Sequence, residues 1–124
     1  MIRACTENDL SRILDARNIT ALEGVKVTAD MLIVVDHGPH IMGAIVKDNG
    51  IDCEVHILCP KSSAIASRAM CIELLGSLYE KGFRHAYTYV GDKYKKAYNL
   101  VIKLGFIPVV KIENQTVFVR QLWA

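Results

Sequence analysis

Two residues of opposite acid–base character lie two positions apart in one apolar segment. Glu54 and His56 flank Val55 within the run Cys53–Leu58. Alternate residues of a strand project from the same face, so this carboxylate and this imidazole are predicted to be neighbours. Either group needs a partner when it is removed from water. The pair could therefore act in proton transfer as a general base, or the two side chains could simply hydrogen-bond each other or a nearby loop.

The residues that follow this segment have the composition of an anion site. Pro60 cannot donate to a strand ladder and ends the strand, and Lys61, Ser62 and Ser63 then precede small residues in the run Ala64-Ile65-Ala66. Backbone amides at the start of a helix, the positive end of its dipole and a lysine would together favour a phosphate group. Many strand–turn–helix units begin with serine and bind nothing, so this local pattern leaves phosphate binding open.

A strand and a long helix must position both groups. The run Cys53–Leu58 is nearly continuous in apolar residues, which predicts a strand buried on both faces. The helix is predicted over Ala64–Lys81, and Gly82 provides its left-handed C-terminal cap. Its predicted inner face consists of Ile65, Ala69, Ile72, Leu75, Leu78 and Tyr79.

The composition is that of an ordinary globular domain. The chain has 124 residues with 52% hydrophobic and 23% charged residues, which predicts one domain over residues 1–124 and argues against disorder. A net charge of +2 is too small to indicate nucleic-acid binding, although Lys93, Lys95 and Lys96 form a local basic cluster. The apolar run Met31–Val35 is too short to span a membrane, and the residues after Met1 do not resemble a signal peptide.

The cysteines show no pattern of a metal site or a disulfide framework. Their spacing contains no CxxC pair and no His-Cys combination typical of metal ligation. We therefore predict reduced thiols, most of them in the core, in a cytoplasmic protein. The four residues are Cys5, Cys53, Cys59 and Cys71.

Strands and helices are expected along the whole chain. Thr6 is predicted to cap the first helix, and a short helix is predicted around Thr20–Glu23. The other predicted helices cover Glu7–Arg17 and Lys93–Leu104, the latter ended by Gly105. The predicted strands are Met1–Ala4, Met31–Asp36, Ile41–Lys47, Ile51–Leu58, His85–Val90, Ile107–Ile112 and Thr116–Trp123. This order predicts an α/β (α+β) fold, a mixed central sheet with helices on both faces.

This order of elements resembles the GCN5-related N-acetyltransferase (GNAT) family over essentially the full chain. The phosphate loop of that family is (Gln/Arg)-x-x-Gly-x-(Gly/Ala) before a helix. The run Lys61-Ser62-Ser63-Ala64-Ile65-Ala66 fits this template, with Lys for Arg and Ala64 for the first Gly. The run Lys103-Leu104-Gly105-Phe106, followed by a hairpin, resembles the way the family's fold ends.

The resemblance implies that acetyl-CoA is the acyl donor. Its pantetheine arm would follow the backbone of Ile57–Cys59, where this strand separates from the next parallel strand. Its pyrophosphate would bind the backbone amides of Ser62–Ala66. Arg68 and the basic cluster would be candidate partners of the phosphates, or merely solvated surface charges. The cofactor-binding residues implied are Ile57, Leu58, Cys59, Lys61, Ser62, Ser63, Ala64, Ile65, Ala66 and Ser67.

The resemblance also implies catalytic roles. Family members often place their base, a Glu or a His, at the strand positions that Glu54 and His56 occupy here. Glu54, helped or replaced by His56, would then relay the proton. They usually carry a tyrosine, as the acid for the leaving thiolate, four residues before the Gly of the Gly-Phe pair, and this position is Val101. Tyr98 could replace that acid, as could Tyr87 or Tyr89, or all three could be packing residues.

Two functions of different classes follow from the resemblance. The first is an acetyl-CoA-dependent N-acetyltransferase that transfers an acetyl group directly to a primary amine of a small molecule or protein. The second is a non-catalytic GNAT-like module that binds CoA or a partner. A nucleic-acid binder would rest only on the run Lys93-Tyr94-Lys95-Lys96. The apolar last strand, Val117–Trp123, could pair across a homodimer.

Overall fold

A computed structural model of the chain describes residues 1–15, 18 and 25–123. This part of the chain forms seven strands, three α-helices and two 3-10 segments. The strands are β1 Ile2–Ala4, β2 Ile33–His37, β3 His40–Asn49, β4 Asp52–Leu58, β5 His85–Gly91, β6 Ile107–Ile112 and β7 Gln115–Gln121. The helices are α1 Glu7–Ile13, α2 Ser67–Glu80 and α3 Lys95–Lys103, and the 3-10 segments are Ala29–Met31 and Lys61–Ala66. The helix predicted at Thr20–Glu23 lies outside the described residues.

The strands form one mixed sheet in the order β1-β2-β3-β4-β5-β7-β6. β4 and β5 run parallel, and their register is confined to Asp52–Glu54 against His85–Tyr87. The pairings β1–β2, β2–β3, β5–β7 and β6–β7 are antiparallel. The predicted mixed-sheet fold class is therefore confirmed. β7 has a neighbour on each side, so the expectation that the last strand pairs across a dimer is wrong for main-chain pairing.

The chain divides into two compact units. One contains Met1–Val46 and Ile57–Leu74, and the other contains Lys47–His56 and Leu75–Ala124. The boundaries fall within β3, β4 and α2, so single elements contribute residues to both units. The expectation of one domain over residues 1–124 stays a prediction. No helix among the described residues combines the length and hydrophobicity that a membrane crossing requires.

Charged side chains join the first elements of the first unit. Thr6 caps α1, as predicted: its hydroxyl accepts from the Asp9 amide at 3.1 Å, and the Asp9 carboxylate accepts from the Thr6 amide at 2.9 Å. Arg3 on β1 donates to both Asp9 and Asp36 at 2.9 Å. The hydrogen bond from Arg3 holds the pKa of Asp9 far below its usual range. α1 ends at Ile13, earlier than predicted, because Leu14 takes an extended conformation.

The helix ends predicted at two glycines are confirmed. Gly82 has φ +103° and Gly105 has φ +87°, a region that an L side chain rarely adopts. The Phe106 amide donates to the Val101 carbonyl at 3.0 Å, and the Phe83 amide donates to Leu78 at 3.2 Å. Both connections thus end a helix with a left-handed residue and reverse the chain toward a strand.

The inner face of α2 differs from the predicted one. Ile65 is 88% exposed and Ile72 is 48% exposed, and Ala69 and Tyr79 are exposed as well, so these four residues were wrongly assigned to the core. The residues Lys61–Ala66 form a 3-10 segment, and the α-helix begins only at Ser67. A 3-10 turn has 3.0 residues, whereas an α-helical turn has 3.6. The side chains of the following α-helix therefore face other directions than those predicted for an α-helix that begins at Ala64. The buried residues of α2 are Met70, Cys71, Leu74, Leu75 and Leu78.

Candidate functional site

The two faces of β4 differ in polarity and exposure. Cys53 and Val55 are buried on one face, whereas Glu54 and His56 are half-buried on the other. The prediction of burial on both faces is therefore wrong, because the alternating polar residues keep one face accessible to water. The side chain of His56 is 37% exposed and that of Glu54 is 20% exposed, so the imidazole is the more accessible of the two groups.

Glu54 and His56 form a hydrogen-bonded pair. His56 Nε2 lies 2.7 Å from Glu54 Oε2. This bond is the main cause that lowers the pKa of Glu54, and a hydrogen bond from Tyr89 and the charge of Lys47 act in the same direction. Glu54 is thus a carboxylate at neutral pH and can only accept. Nε2 of His56 must then be the donor, which leaves the lone pair of the neutral imidazole on Nδ1.

Tyr89 on β5 is the third member of this cluster. Its ring centroid lies 5.9 Å from that of His56, with the planes tilted by 34°. The interaction of its hydroxyl with the Glu54 carboxylate, followed by burial, raises the pKa of the phenol. The sequence predicted Tyr89 only as an alternative acid. Its contact with His56 could not be found without the register of β4 against β5.

A second hydrogen-bonded carboxylate–imidazole pair lies on the same face, nearer the start of both strands. Asp52 Oδ1 and His85 Nδ1 are 2.9 Å apart, and the two residues are paired directly in the parallel register. Sequence reasoning missed this pair. The sequence does indicate that Asp52 shares a face with Glu54, because the two residues are two positions apart on β4. The partner, His85 on β5, is 33 residues away and cannot be predicted in this way.

The predicted phosphate loop is only partly available. Ser63 is buried, its hydroxyl accepts from the Ile41 amide at 3.1 Å, and its own amide donates to the Pro60 carbonyl at 2.9 Å. The Lys61 amide donates to the Asp15 carboxylate at 2.7 Å. Both groups of Ser63 are therefore engaged within the fold, which contradicts the expectation of free amides throughout the loop.

The other predicted cofactor residues differ in accessibility. Leu58 packs into the core of its unit, and Ile57, Cys59, Ala66 and Ser67 are half-buried. The exposed members are Lys61, Ser62, Ala64 and Ile65, with Arg68 exposed after them. The outer surface of the 3-10 segment thus presents the small Ser62 and Ala64 and the apolar Ile65 beside a lysine and an arginine.

Ser63 is predicted to stabilise the fold. Replacing Ser63 with Ala leaves the Ile41 amide without its acceptor, so we expect the free energy of unfolding to fall by about 1–3 kcal/mol. Ser62→Ala, at the exposed neighbouring serine, should change it by less than about 0.5 kcal/mol. Urea denaturation followed by circular dichroism measures both. Equal stability of the two variants would contradict the structural role of Ser63.

Solved structures superpose on the whole chain at low sequence identity. Ard1 from Thermoplasma volcanium has a TM-score of 0.74 at 12% identity, and the match covers 100% of this chain and 98% of that one. A GCN5-related N-acetyltransferase from Kribbella flavida has a TM-score of 0.70 at 15% identity, over 98% and 97%. The fold is that of the GCN5-related N-acetyltransferases.

A third GNAT structure agrees with this assignment of the fold. The ribosomal-protein-S18-alanine N-acetyltransferase from Escherichia coli has a TM-score of 0.66 at 14% identity, over 98% of this chain and 93% of that one. No protein-family model and no curated protein sequence matches the chain. Structural likeness at such identities establishes the GNAT fold, while substrate and activity must be argued from the site.

The third predicted catalytic residue, Tyr98, lies on α3. Its ring meets the Phe118 ring edge-on at a centroid distance of 5.1 Å, and the residue is 37% exposed. Val101, the position at which the resemblance implies a tyrosine, is half-buried about one helical turn further on. The acid role of Tyr98 stays a prediction.

Among the described residues, the buried thiols and the possible metal ligands do not form a second candidate site. All four cysteines are free, and burial raises the pKa of Cys53 to about 11 and that of Cys71 to about 12. Such thiols remain protonated and are poor nucleophiles. In the described ranges, no group of three or more His, Cys, Asp or Glu residues could hold a metal ion.

Proposed function

We propose that the chain is an acetyl-CoA-dependent N-acetyltransferase that transfers the acetyl group directly to a primary amine. The observation that carries this proposal is the Glu54–His56 pair on the accessible face of β4, where the pairing of β4 with β5 ends at Glu54. On a GNAT fold this strand position is where a base is expected. The cytoplasmic location expected from four free cysteines is part of the proposal.

Acetyl-CoA supplies the acetyl group as a thioester. Backbone groups of Ile57–Cys59 would bind the pantetheine arm, and the segment Lys61–Ser67, without the engaged groups of Ser63, would bind the pyrophosphate. The exposed Lys61 and Arg68 support this assignment because cations near a phosphate strengthen its binding. The Asp15 carboxylate at the Lys61 amide works against it, since a second anion beside this amide repels a phosphate.

His56 and Glu54 have different roles in this proposal. A base must remove a proton from the acceptor nitrogen, and an imidazole is suited to this at neutral pH. The lowered pKa of Glu54 makes its carboxylate a weak base, so its role is to orient the imidazole through Nε2. The geometry thus favours His56 as the proton acceptor and reverses the order expected from the sequence.

Binding of the donor can be tested by thermal unfolding. Acetyl-CoA at about 100 times its Kd should stabilise the protein by about 2.7 kcal/mol, which for a chain of this size raises the melting temperature by on the order of 10 °C. Acetate at the same concentration should have no effect. Ser62→Glu places a carboxylate on the exposed side of the segment and should abolish the shift, with Ser62→Gln as the uncharged control.

Transfer must be measured together with binding. Wild-type protein is incubated with acetyl-CoA and a panel of amines, polyamines and N-terminal peptides, and the released thiol is quantified. An unchanged melting curve in millimolar acetyl-CoA, with no thiol release, would refute the proposed function.

The second candidate is a non-catalytic module that binds CoA. Val101 at the usual acid position favours it, because the leaving thiolate then lacks the family's proton donor. Bound CoA in native mass spectrometry of freshly purified protein, without thiol release on the amine panel, would select this function over the enzyme.

A further inference from the structure

Four side chains of the unit that contains Leu75–Ala124 form an arginine–aromatic cluster that the proposed function does not use. The rings of Tyr79 and Trp123 have centroids 5.7 Å apart, with planes tilted by 55°. The guanidinium carbon of Arg84 lies 5.0 Å from the Tyr79 centroid, and that of Arg120 lies 4.7 Å from the Trp123 centroid. Both distances are those of cation–π contacts, so each ring of the pair holds its own cation.

The cluster is not needed to hold the end of β7. Tyr79 lies in the last turn of α2, Arg84 just before β5, Arg120 on β7 and Trp123 two residues after that strand. The Leu122 amide donates to the Arg84 carbonyl at 2.8 Å, and the Leu122 side chain is fully buried. Because these contacts already fix the chain at this point, the two rings and the two cations call for another explanation.

The two guanidiniums have no carboxylate partner within the described ranges. The ion pairs found there include neither Arg84 nor Arg120. Arg84 donates to the Phe83 carbonyl at 3.2 Å, and Arg120 donates to the Gln121 carbonyl at 3.5 Å. A guanidinium has five N–H donors, so these single bonds use only a small part of each. Two like charges beside one aromatic pair also repel each other, which favours the binding of an anion.

Exposure and residue types favour a protein as the source of that anion. Tyr79 is 36% exposed, Trp123 is 40% exposed and Arg84 is also exposed. Trp, Tyr and Arg are the residue types enriched where protein interfaces gain most of their binding energy. A guanidinium already lies over each ring, which leaves less of the ring faces for stacking with nucleobases, and the net charge of +2 is small for a nucleic-acid binder.

We propose that the arginine–aromatic cluster is a docking site for an acidic segment of a partner protein. Carboxylates of the segment pair with Arg84 and Arg120, whose planar forks fit a carboxylate with two parallel hydrogen bonds. Apolar side chains of the segment contact the exposed parts of the two rings. The inference does not rest on the proposed function, because Arg84 precedes β5 by one residue and Tyr89, beside His56, lies about 16 Å further along the chain.

The indole of Trp123 provides a direct test, because it is the only tryptophan of the chain. Titration of the full chain with an octaglutamate peptide at low salt should change the indole emission saturably, and octaglutamine should not. Arg84→Gln should raise the Kd of octaglutamate by about tenfold or more, because charge-assisted hydrogen bonds are lost. Fluorescence anisotropy of a labelled octaglutamate gives the Kd of each variant independently of the indole.

The matched control is Lys96→Gln, which removes the same charge from an exposed position on α3. It should change the Kd by less than about twofold, since an exposed charge outside the contact contributes little. Arg120→Gln should raise the Kd as Arg84→Gln does, provided that circular dichroism shows it to be folded. Should it not fold, the exposed Arg84 alone decides the outcome.

Two results would overturn the inference. One is the lack of a saturable change in emission and anisotropy up to millimolar octaglutamate, and the other is an equal rise of the Kd in Lys96→Gln, which would indicate attraction by net charge alone. Tighter binding of an octauridylate, lost in Arg84→Gln, would assign the cluster to nucleic acid and reject a protein partner. Acetyl transfer does not enter this test, so the proposed function and the docking site stand or fall separately.

Discussion

We expect His56→Gln to lower the turnover number for acetyl transfer by about 10²- to 10⁴-fold. Gln can still donate a hydrogen bond to Glu54 but cannot accept a proton at neutral pH. Glu54→Gln should lower turnover less, because the imidazole remains and only its orientation and charge partner are lost. The Kd for acetyl-CoA should stay the same in both variants, since neither side chain is assigned to the donor. Stopped-flow or thiol-release assays give turnover, and isothermal titration gives Kd.

The loss of turnover in one variant relative to the other shows which residue is the base. A larger loss in Glu54→Gln than in His56→Gln would make the carboxylate the base, as the sequence alone suggests. If neither substitution changes the rate, the pair is structural. The matched control is Asp52→Asn, which disrupts the neighbouring pair with His85 and should leave turnover within about twofold.

Val101→Tyr is expected to increase turnover by up to about 10²-fold. The substitution restores a phenol at the position where GNAT enzymes usually carry their acid. A thiol has an ordinary pKa near 8.5, so its anion can leave without an acid, but a positioned donor accelerates the step. Val101 is half-buried, and the larger side chain should reduce stability by about 1–3 kcal/mol.

The control is Val101→Phe, which adds the ring without the hydroxyl. A rate gain in Val101→Tyr and none in Val101→Phe would identify proton donation as the cause. Tyr98→Phe in the wild-type background tests the substitute acid, and a loss of about tenfold or more would assign that role to Tyr98. No thiol release above the blank in any variant, with acetyl-CoA bound, would instead support the non-catalytic module.

The parts of the fold that the sequence predicted depend on local signals. Thr6 followed by Asp9 specifies a capped helix start, and Gly82 and Gly105 specify helix ends, because each signal lies within four residues of the structure it determines. The alternation of Glu54 and His56 likewise predicted that they share a face, and the 2.7 Å bond agrees.

The parts that the sequence could not predict depend on distant contacts. Ser63 has the composition of a helix cap, but its hydroxyl is directed to Ile41, 22 residues earlier in the chain. The contact of the Tyr89 ring with the His56 ring requires the register of two strands separated by a whole helix. The position of β7 between β5 and β6 also could not be predicted from its own residues. An apolar strand fits the edge or the interior of a sheet equally well, so its place depends on the strands with which it pairs.

One of the two outer strands of the sheet, β6, has a consequence for how the protein behaves at high concentration. All residues of β6 are exposed, including the apolar Ile107, Val109, Val110 and Ile112. An exposed apolar edge strand is a template on which further chains can stack into aggregates. Here Pro108 lacks an amide proton, a register shift lies between Pro108 and Val110, and Lys111 adds a charge. These features interrupt the regular ladder that an incoming strand would need, so this edge should resist fibre growth despite its hydrophobic surface.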